Sequence, residues 1–203
     1  GEGYGVGVGI RDVFDEVLRA RVAYVVSPWI QEPYAGRLLE MVREGRAMVV
    51  TSRGEDNAFY NFLDKLRNTA GIKYGLLLLI IGMTGLLTIL FNGISISGST
   101  ILYLIFLLAF IAPGLALILW ARMSAKELLR KNPWLANIRL SPPLGEDGFI
   151  HIKLYIANGR AWVGSANMTV SAWKHNIEVL VPIDLETARR IFEEAWSMAR
   201  PLT

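Results

Sequence analysis

Two long uncharged stretches of apolar residues constrain the fold of this chain more than any other feature. Residues 74–92 and 101–120 contain no Asp, Glu, Lys or Arg. Each is about 20 residues long, enough for a helix to cross the roughly 30 Å hydrocarbon core of a bilayer. A buried core helix can have the same composition, but only the short polar segment 93–100 separates the two stretches. The pattern therefore predicts a transmembrane helical hairpin, in which Pro113 is expected to kink the second helix rather than end it.

Basic residues around these stretches predict the orientation of the hairpin. Lysines and arginines flank the outer ends of both stretches, whereas the connecting segment carries no charge. Because cytoplasmic flanks are enriched in Lys and Arg, both outer ends are expected in the cytoplasm. The chain is thus predicted to be a multi-pass membrane protein with two spans, whose soluble domain and both termini are cytoplasmic. The basic flanking residues are Lys65, Arg67, Lys73, Arg122, Lys126, Arg130 and Lys131.

The segments outside the apolar stretches alternate between short apolar strands and amphipathic helices. This alternation predicts an α/β fold in which helices flank a mixed sheet. Since a hairpin returns the chain to its starting side, residues 1–73 and 121–203 are predicted to form two parts of one domain, interrupted by the hairpin at 74–120. Strands are expected at 21–26, 47–50, 138–140 and 177–181, and helices after Pro33, at 57–67, at 125–129 and after an N-cap at Asp184.

The run from residue 151 to residue 167 concentrates the side chains that can do chemistry. Alternate residues of a strand share one face, so His151, Lys153 and Tyr155 are expected on a chemical face, with the apolar residues between them facing a core. Asn158-Gly159 fits a two-residue type I′ turn, because both central positions need positive φ. The run is therefore predicted to form a hairpin whose second strand returns toward the first histidine.

The returning strand would carry Ser165 and Asn167 to the neighbourhood of His151 and Lys153. A nucleophilic or acid–base imidazole, a fixed cation, a hydroxyl and an amide suit a phosphoryl group, whose negative charge grows during reaction. A His-x-Lys pair alone is usually solvated surface, and Gly-Ser-x-Asn alone is often an ordinary turn. The predicted hairpin aligns the two, and this alignment favours a phosphate site.

Composition excludes several other kinds of site. The chain has no cysteine, so disulfides and thiolate metal centres are ruled out, and its two histidines are too few to indicate zinc. The glycines of residues 1–9 do not have the spacing of a dinucleotide-binding or phosphate-binding loop. A net charge of +3 is mild and owes much to the basic flanks of the apolar stretches. No metal or other cofactor is expected.

The hairpin run resembles the motif of the phospholipase D superfamily, in which His-x-Lys and an Asp precede Gly-Ser and a nearby Asn. The matching residues are His151, Lys153, Gly164, Ser165 and Asn167. The resemblance implies a phospholipase D-like fold and phosphodiesterase chemistry. It also implies that His151 and Lys153 are catalytic and that Ser165 and Asn167 bind the phosphate.

Of two acidic positions in the family pattern, this chain matches one and departs at the other. The resemblance extends over residues 15–72 and 123–200 and implies that Glu178 supports the catalytic histidine. Asn158 stands where the family has Asp, so a neutral amide replaces a carboxylate at the predicted turn. Acidic support is then expected from Glu178 or from a second subunit, and Asn158→Asp is expected to raise turnover.

The resemblance also implies a homodimer. Members of the family use two copies of the motif: one histidine forms a phosphohistidine and the other protonates the leaving oxygen, without a metal. This chain has one copy, so two subunits are expected to place their His151 side chains face to face across a two-fold axis. His175 lacks a lysine two residues further on and is not expected to be the second histidine.

Three functions remain open from the sequence. The first is a membrane-anchored phosphodiesterase that cleaves nucleic acid, slightly favoured because single-motif members that dimerise are often nucleases. The second is the same chemistry on phospholipid, which a membrane hairpin would bring close. The third is a catalytically weak protein that only binds phosphate. The partners expected are a second copy of the chain, the lipid bilayer, and a nucleic acid or phospholipid substrate.

Overall fold

A computed structural model gives the structure of the protein and describes residues 5–6, 9–67, 70–91, 101, 103 and 105–202. The chain divides into two compact units. Residues 1–63 and 132–203 form the first unit, and residues 64–131 form the second. The boundaries expected from the sequence, at 73/74 and 120/121, both fall inside the second unit.

The first unit is built on a mixed eight-stranded sheet, which confirms the α/β fold class predicted from the sequence. Strands β2, β3 and β4 are parallel, and every other neighbouring pair is antiparallel. The strand order is β1-β7-β6-β5-β2-β3-β4-β8. The strands are β1 (Gly5–Val6), β2 (Ala23–Val26), β3 (Ala47–Thr51), β4 (Ile138–Leu140), β5 (Lys153–Ala157), β6 (Arg160–Gly164), β7 (Val179–Ile183) and β8 (Arg200–Pro201).

Helices cover both faces of this sheet. Tyr155 of β5 packs on Phe14 of the first helix, with ring centroids 5.2 Å apart, whereas its neighbours Leu154 and Ile156 pack in a core with Phe192 of the last helix. The helices of this unit are α1 (Ile10–Arg19), α2 (Tyr34–Arg43), α3 (Ala58–Arg67, continuing into the second unit), a 3-10 turn (Pro133–Asn137), α6 (Ser171–Lys174) and α7 (Leu185–Met198).

The central position of β5 corrects one expectation. The sequence predicted a chemical face shared by His151, Lys153 and Tyr155, but the strand begins only at Lys153, and Tyr155 is fully buried. A strand covered on both faces has no solvated face, which is why each of its five residues is buried. The site residues therefore lie at the end of the strand rather than along it.

Local signals located several boundaries correctly. Asp184 caps α7 by accepting a hydrogen bond from the Thr187 backbone N–H, at 2.8 Å. Gly45 ends α2 with φ of +72°.

The predicted start of one strand was wrong. Strand β7 begins at Val179 rather than at residue 177, since the Ile177 side chain is 94% exposed and does not join the sheet.

The second unit is a pair of apolar helices, α4 (Ala70–Phe91) and α5 (Ala112–Lys131). They pack against each other through glycines, because a Cβ at Gly75 would come within 2.7 Å of the Gly114 carbonyl oxygen. A π-helical turn, Leu107–Ile111, precedes α5, and the helix continues through Pro113 as expected.

Among the described residues, one helix, rather than the predicted two, is long and apolar enough to cross a membrane by length and composition. This is the continuous helix Leu107–Lys131, whereas the apolar part of α4, Ile72–Thr88, is shorter than a span requires. The predicted connecting segment, 93–100, lies outside the described residues.

Candidate functional site

Strand pairing brings three of the predicted site residues to one edge of the sheet. Lys153, the first residue of β5, pairs with Gly164 at the end of β6, and Gly164 pairs with Leu180 near the start of β7. Ser165 and Glu178 are the next residues beyond these ends. This is also the edge where the parallel strands β2, β3 and β4 end, the usual place for a binding site in such a sheet.

Close strand packing explains the glycine that precedes Ser165. A Cβ at Gly164 would collide with the Val179 carbonyl oxygen, so no larger residue fits without moving β7. The Ser165 backbone N–H donates to that same carbonyl at 2.9 Å. The glycine thus sets Ser165 directly against the start of β7.

Lys153 lies directly beside the His151 imidazole. Its Nζ is 3.0 Å from both ring nitrogens of His151 and donates to the His151 carbonyl oxygen at 2.9 Å. Lys153 is only 4% exposed, whereas His151 is open to solvent. The structure therefore fixes a buried ammonium group next to an accessible imidazole.

Burial and charge favour the neutral form of His151. Partial burial lowers the pKa of His151, and the positive charge of Lys153 lowers it further. Burial also lowers the pKa of Lys153, and the Glu178 carboxylate partly offsets that effect. Since the ordinary pKa of histidine is about 6.5, a lowered value leaves the imidazole neutral and able to act as a nucleophile at pH 7.

Glu178 binds Ser165 rather than His151 within the chain. Its carboxylate accepts a short hydrogen bond from the Ser165 hydroxyl and one of 3.2 Å from the Asn176 amide. The Ser165 oxygen in turn accepts from the Val179 backbone N–H at 3.1 Å. These contacts hold the carboxylate and the serine together, and no hydrogen bond joins Glu178 to His151 among the described residues.

Asn167 carries a buried acceptor with no partner. Its Oδ1 atom is inaccessible to solvent and makes no hydrogen bond to any described residue. Buried polar atoms without partners are rare and costly in native proteins, by about 1–3 kcal/mol each. An unpaired amide oxygen next to Ser165 is consistent with a group that meets a ligand.

The segment that carries Ser165 and Asn167 is fixed by two residues that the sequence did not single out for this role. The Tyr155 hydroxyl donates to the Ala166 carbonyl oxygen at 2.6 Å, and burial raises the pKa of Tyr155, so it remains a donor. The Ser27 hydroxyl accepts from the Met168 backbone N–H at 3.1 Å. The first contact spans 11 residues around the hairpin and the second spans 141, so no local pattern of the sequence predicts either contact.

Two aromatic rings next to His151 were also missed. The Trp29 ring lies edge-on to the imidazole with centroids 6.0 Å apart, and the Phe149 ring is 5.9 Å from it. Trp29 follows the end of β2, which pairs with β5. The Ser27-Pro28-Trp29 sequence at the end of a predicted strand was the available signal.

Asn158 lies at the opposite end of the hairpin from the site. Asn158 and Gly159 have φ of 51° and 76°, as the predicted type I′ turn requires. The turn joins the far ends of β5 and β6, where Asn158 lies in a shallow cleft with Asp12, Asp15, Glu16 and Arg19 of α1. A carboxylate at this position would therefore face a mostly acidic helix surface rather than His151.

This position changes the expected effect of Asn158→Asp. We now expect the variant to leave phosphodiester turnover within about twofold of the wild type, because the new charge lies a full strand length from the imidazole. Repulsion from the three carboxylates of α1, partly offset by attraction to Arg19, should lower the free energy of unfolding by no more than about 1 kcal/mol, as is usual for exposed charge pairs. Chemical denaturation and steady-state kinetics test both parts; a large gain in turnover would restore the electrostatic role expected from the sequence.

No metal site is evident in the part of the chain that the structure describes. No group of three or more His, Asp or Glu side chains there could hold a metal ion.

Comparisons with known proteins give structural neighbours only. No protein-family model matches the chain, and no curated protein sequence matches significantly. Nuc, a phospholipase D family member from Salmonella typhimurium, aligns with 94% of this chain and 88% of its own, at 13% identity and a TM-score of 0.42. TrmBL2, an archaeal chromatin protein that binds DNA, aligns with 98% of this chain and 53% of its own, at 12% identity and a TM-score of 0.40.

Proposed function

We propose that the protein is a membrane-anchored phosphodiesterase of the phospholipase D superfamily. The observation that carries this proposal is the buried Lys153 ammonium held 3.0 Å from the nitrogens of an accessible His151 imidazole. The order of motif residues matches the family, and strand pairing gathers Lys153, Ser165 and Glu178 at one sheet edge. The buried, unpaired Asn167 oxygen adds a second group suited to a ligand.

The proposed reaction proceeds through a phosphohistidine. The neutral His151 imidazole attacks phosphorus, a nitrogen–phosphorus bond forms, and the bond to the leaving oxygen breaks. The two histidines take different protonation states: the partner's His151 must enter as the imidazolium, the form that the lowered pKa disfavours, and gives its proton to that oxygen. The same partner histidine then takes a proton from water, which attacks phosphorus and releases His151. Lys153 stabilises the charge that grows on the phosphoryl oxygens in both steps.

The phosphate contacts follow from the positions of the remaining residues. The ammonium group of Lys153 and the hydroxyl of Ser165 can donate to phosphoryl oxygens. Asn167 can do so through its amide nitrogen, while its unpaired oxygen can accept a hydrogen bond from the leaving hydroxyl or from water, since the diester is anionic and carries no proton. Glu178 fixes Ser165 in this subunit and makes no hydrogen bond to its own His151. Any histidine that its carboxylate orients would therefore be the partner's.

A homodimer is part of the proposal because the chemistry needs two histidines. The chain contains only one His-x-Lys pair. His175, the other histidine, is exposed and follows the short helix α6. The residue two positions after it is Ile177 rather than the lysine that the motif requires. Two subunits related by a two-fold axis would supply two copies of His151 and Lys153 to one site.

Membrane anchoring is supported by the surface of the second unit. Leu76, Ile80, Leu108 and Leu119 are 50–66% exposed, while the glycines between α4 and α5 are packed inside. A water-soluble helical pair would show the opposite pattern, with apolar side chains inside. Thr84 satisfies its hydroxyl within α4 by donating to the Ile80 carbonyl oxygen, at 2.8 Å. We propose that both helices cross the membrane as a hairpin.

Nucleic acid is proposed as the substrate, and phospholipid is the second candidate because the hairpin would hold the site near a bilayer. The direct experiment incubates the detergent-purified protein, without metal, with single-stranded DNA, RNA, duplex DNA, phosphatidylcholine and cardiolipin. Cleavage of a nucleic acid supports the first candidate, and cleavage of a lipid supports the second. Binding of phosphate without cleavage of any diester would instead indicate a phosphate-binding membrane protein.

The proposed topology predicts which side of the membrane each segment faces. The chain has no native cysteine, so single cysteines at position 97 and position 146 report their own location. Ser97 lies in the proposed external loop, outside the described residues, and Glu146 is an exposed residue of the soluble unit. In intact cells an impermeant maleimide should label Ser97→Cys and should label Glu146→Cys only after permeabilisation. Labelling in the reverse pattern would contradict the topology.

A further inference from the structure

The two aromatic rings beside His151 have no role in the reaction as described. The Trp29 and Phe149 ring centroids are 6.3 Å apart, and each lies about as far from the imidazole, so the three rings form a triangle. Both residues are partly exposed to solvent at the open edge of the site. They therefore present an aromatic surface immediately beside the proposed nucleophile.

The Trp29 loop is held rigidly. The Pro28 carbonyl oxygen accepts hydrogen bonds from the Ser52 hydroxyl at 2.6 Å and from the buried Asn57 amide at 2.9 Å. The Ser27 hydroxyl donates to the Trp29 carbonyl oxygen at 2.8 Å. A ring on a fixed backbone loses little conformational freedom when a ligand stacks on it, so its contacts contribute more of their energy to binding.

Charge at the site selects the kind of group that this surface suits. The Lys153 ammonium lies 3.0 Å from the His151 ring nitrogens, and both aromatic rings adjoin that imidazole. A cationic headgroup on the rings would be repelled by this nearby charge. A neutral flat ring is not repelled and gains stacking energy. A nucleotide carries such a ring one sugar away from its phosphate, which matches a phosphate site bordered by aromatic rings.

We propose that Trp29 and Phe149 form a base-stacking subsite for the nucleotide that carries the scissile phosphate. This subsite depends on the proposed phosphodiesterase function. It adds to that function a substrate class, which is unpaired, single-stranded nucleic acid. A base must leave its own stack to lie on a protein ring, so paired duplex is disfavoured. The rings are distinct from the groups that hold the phosphate.

Equilibrium binding of three phosphate compounds to the full chain in detergent micelles tests the subsite without requiring turnover. Thymidine 5′-monophosphate carries a base, glycerol 3-phosphate represents a lipid backbone, and inorganic phosphate carries neither. Thymidine 5′-monophosphate is expected to bind roughly 5- to 150-fold more tightly than glycerol 3-phosphate, the range that corresponds to stacking of one base.

Variants assign that preference to the rings. Trp29→Leu should remove the preference while leaving the affinity for inorganic phosphate unchanged, which also shows that the variant is folded. Trp29→Phe should retain most of it, and Phe149→Leu should reduce it independently. Trp196→Leu is the matched control and should leave the preference for the base unchanged. Trp196 is also a partly exposed tryptophan, but it lies on α7 and packs against the core cluster around Phe192.

Three results would overturn the subsite. The first is equal affinity for thymidine 5′-monophosphate and glycerol 3-phosphate. The second is tighter binding of glycerol 3-phosphate, which would favour a lipid substrate. The third is an equal loss of affinity for all three compounds in Trp29→Leu. The proposed function can fail independently of the subsite. A preference for the base in a protein that cleaves no diester would support the subsite and contradict the enzymatic function. Diester cleavage without a preference for the base would support the enzymatic function and contradict the subsite.

Discussion

Replacing His151 by alanine is expected to lower phosphodiester hydrolysis by about 10³-fold or more. In the proposed reaction the imidazole serves as nucleophile in one subunit and as acid and base in the other, and loss of acid–base catalysis alone typically costs 10²- to 10⁴-fold. Lys153 and the serine of the site remain in the variant, so phosphate binding should be largely retained. The measurement is the single-turnover rate on whichever diester the wild type cleaves, together with the affinity for inorganic phosphate.

The chain provides a matched control for this variant. His175 is the only other histidine, and it lies at the exposed end of a short helix. His175→Ala should keep the wild-type rate to within about twofold, as is usual for a surface change outside a site. If His175→Ala were the inactive variant and His151→Ala the active one, the proposed assignment of the nucleophile would be wrong.

Mixed dimers are expected to be as inactive as the His151→Ala homodimer. If one active site takes a histidine from each subunit, a dimer with one wild-type and one His151→Ala chain lacks either the nucleophile or the proton donor. Two different affinity tags on co-expressed chains allow the mixed dimer to be isolated before its rate is measured. The loss should again be about 10³-fold or more relative to wild type.

Independent subunits predict a different result for the same mixture. A site that is complete within one chain would leave the mixed dimer with half of the wild-type rate, because one subunit would be intact. If the active enzyme were a monomer, the rate of a mixture of the two chains would be proportional to the fraction of wild-type chain. Either outcome would remove the shared site while leaving the role of His151 open to the first experiment.

Features set by neighbouring residues were predictable from the sequence, and features set by distant strands were not. The Asn158-Gly159 turn and the Asp184 cap depend on local backbone geometry, and both lie where the sequence predicted them. The burial of Tyr155 depends on the pairing of β5 with β2 and on the helices covering both faces, so strand alternation alone placed it wrongly. Trp29 reaches His151 through that same long-range pairing.

Some missed elements had a readable signal. Helix α1 carries Ile10, Val13, Phe14, Val17 and Leu18 on one buried face, which is the spacing of an amphipathic helix. Strands β1 and β8 have two residues each, too few for any period-two pattern to appear.

The candidate site lies entirely in the first unit, although residues 64–131 interrupt that unit in sequence. Residues 64–131 form their own compact unit, and the chain resumes at β4, which pairs with β3 in parallel. The sheet edge that carries the site is assembled entirely from the first unit. Changes in the apolar helices are therefore expected to alter the proposed membrane anchoring rather than the contacts of His151.

The most direct test of the central claim is to trap the covalent intermediate. Rapid acid-free quenching of the enzyme with a 5′-labelled or phosphorus-labelled diester, followed by peptide mass spectrometry, should find a phosphoryl adduct on His151. That adduct should be stable in base and labile in acid, as a nitrogen–phosphorus bond is, and absent from His151→Ala. An adduct on Ser165, or turnover with no protein adduct under conditions that trap the intermediate, would contradict the account.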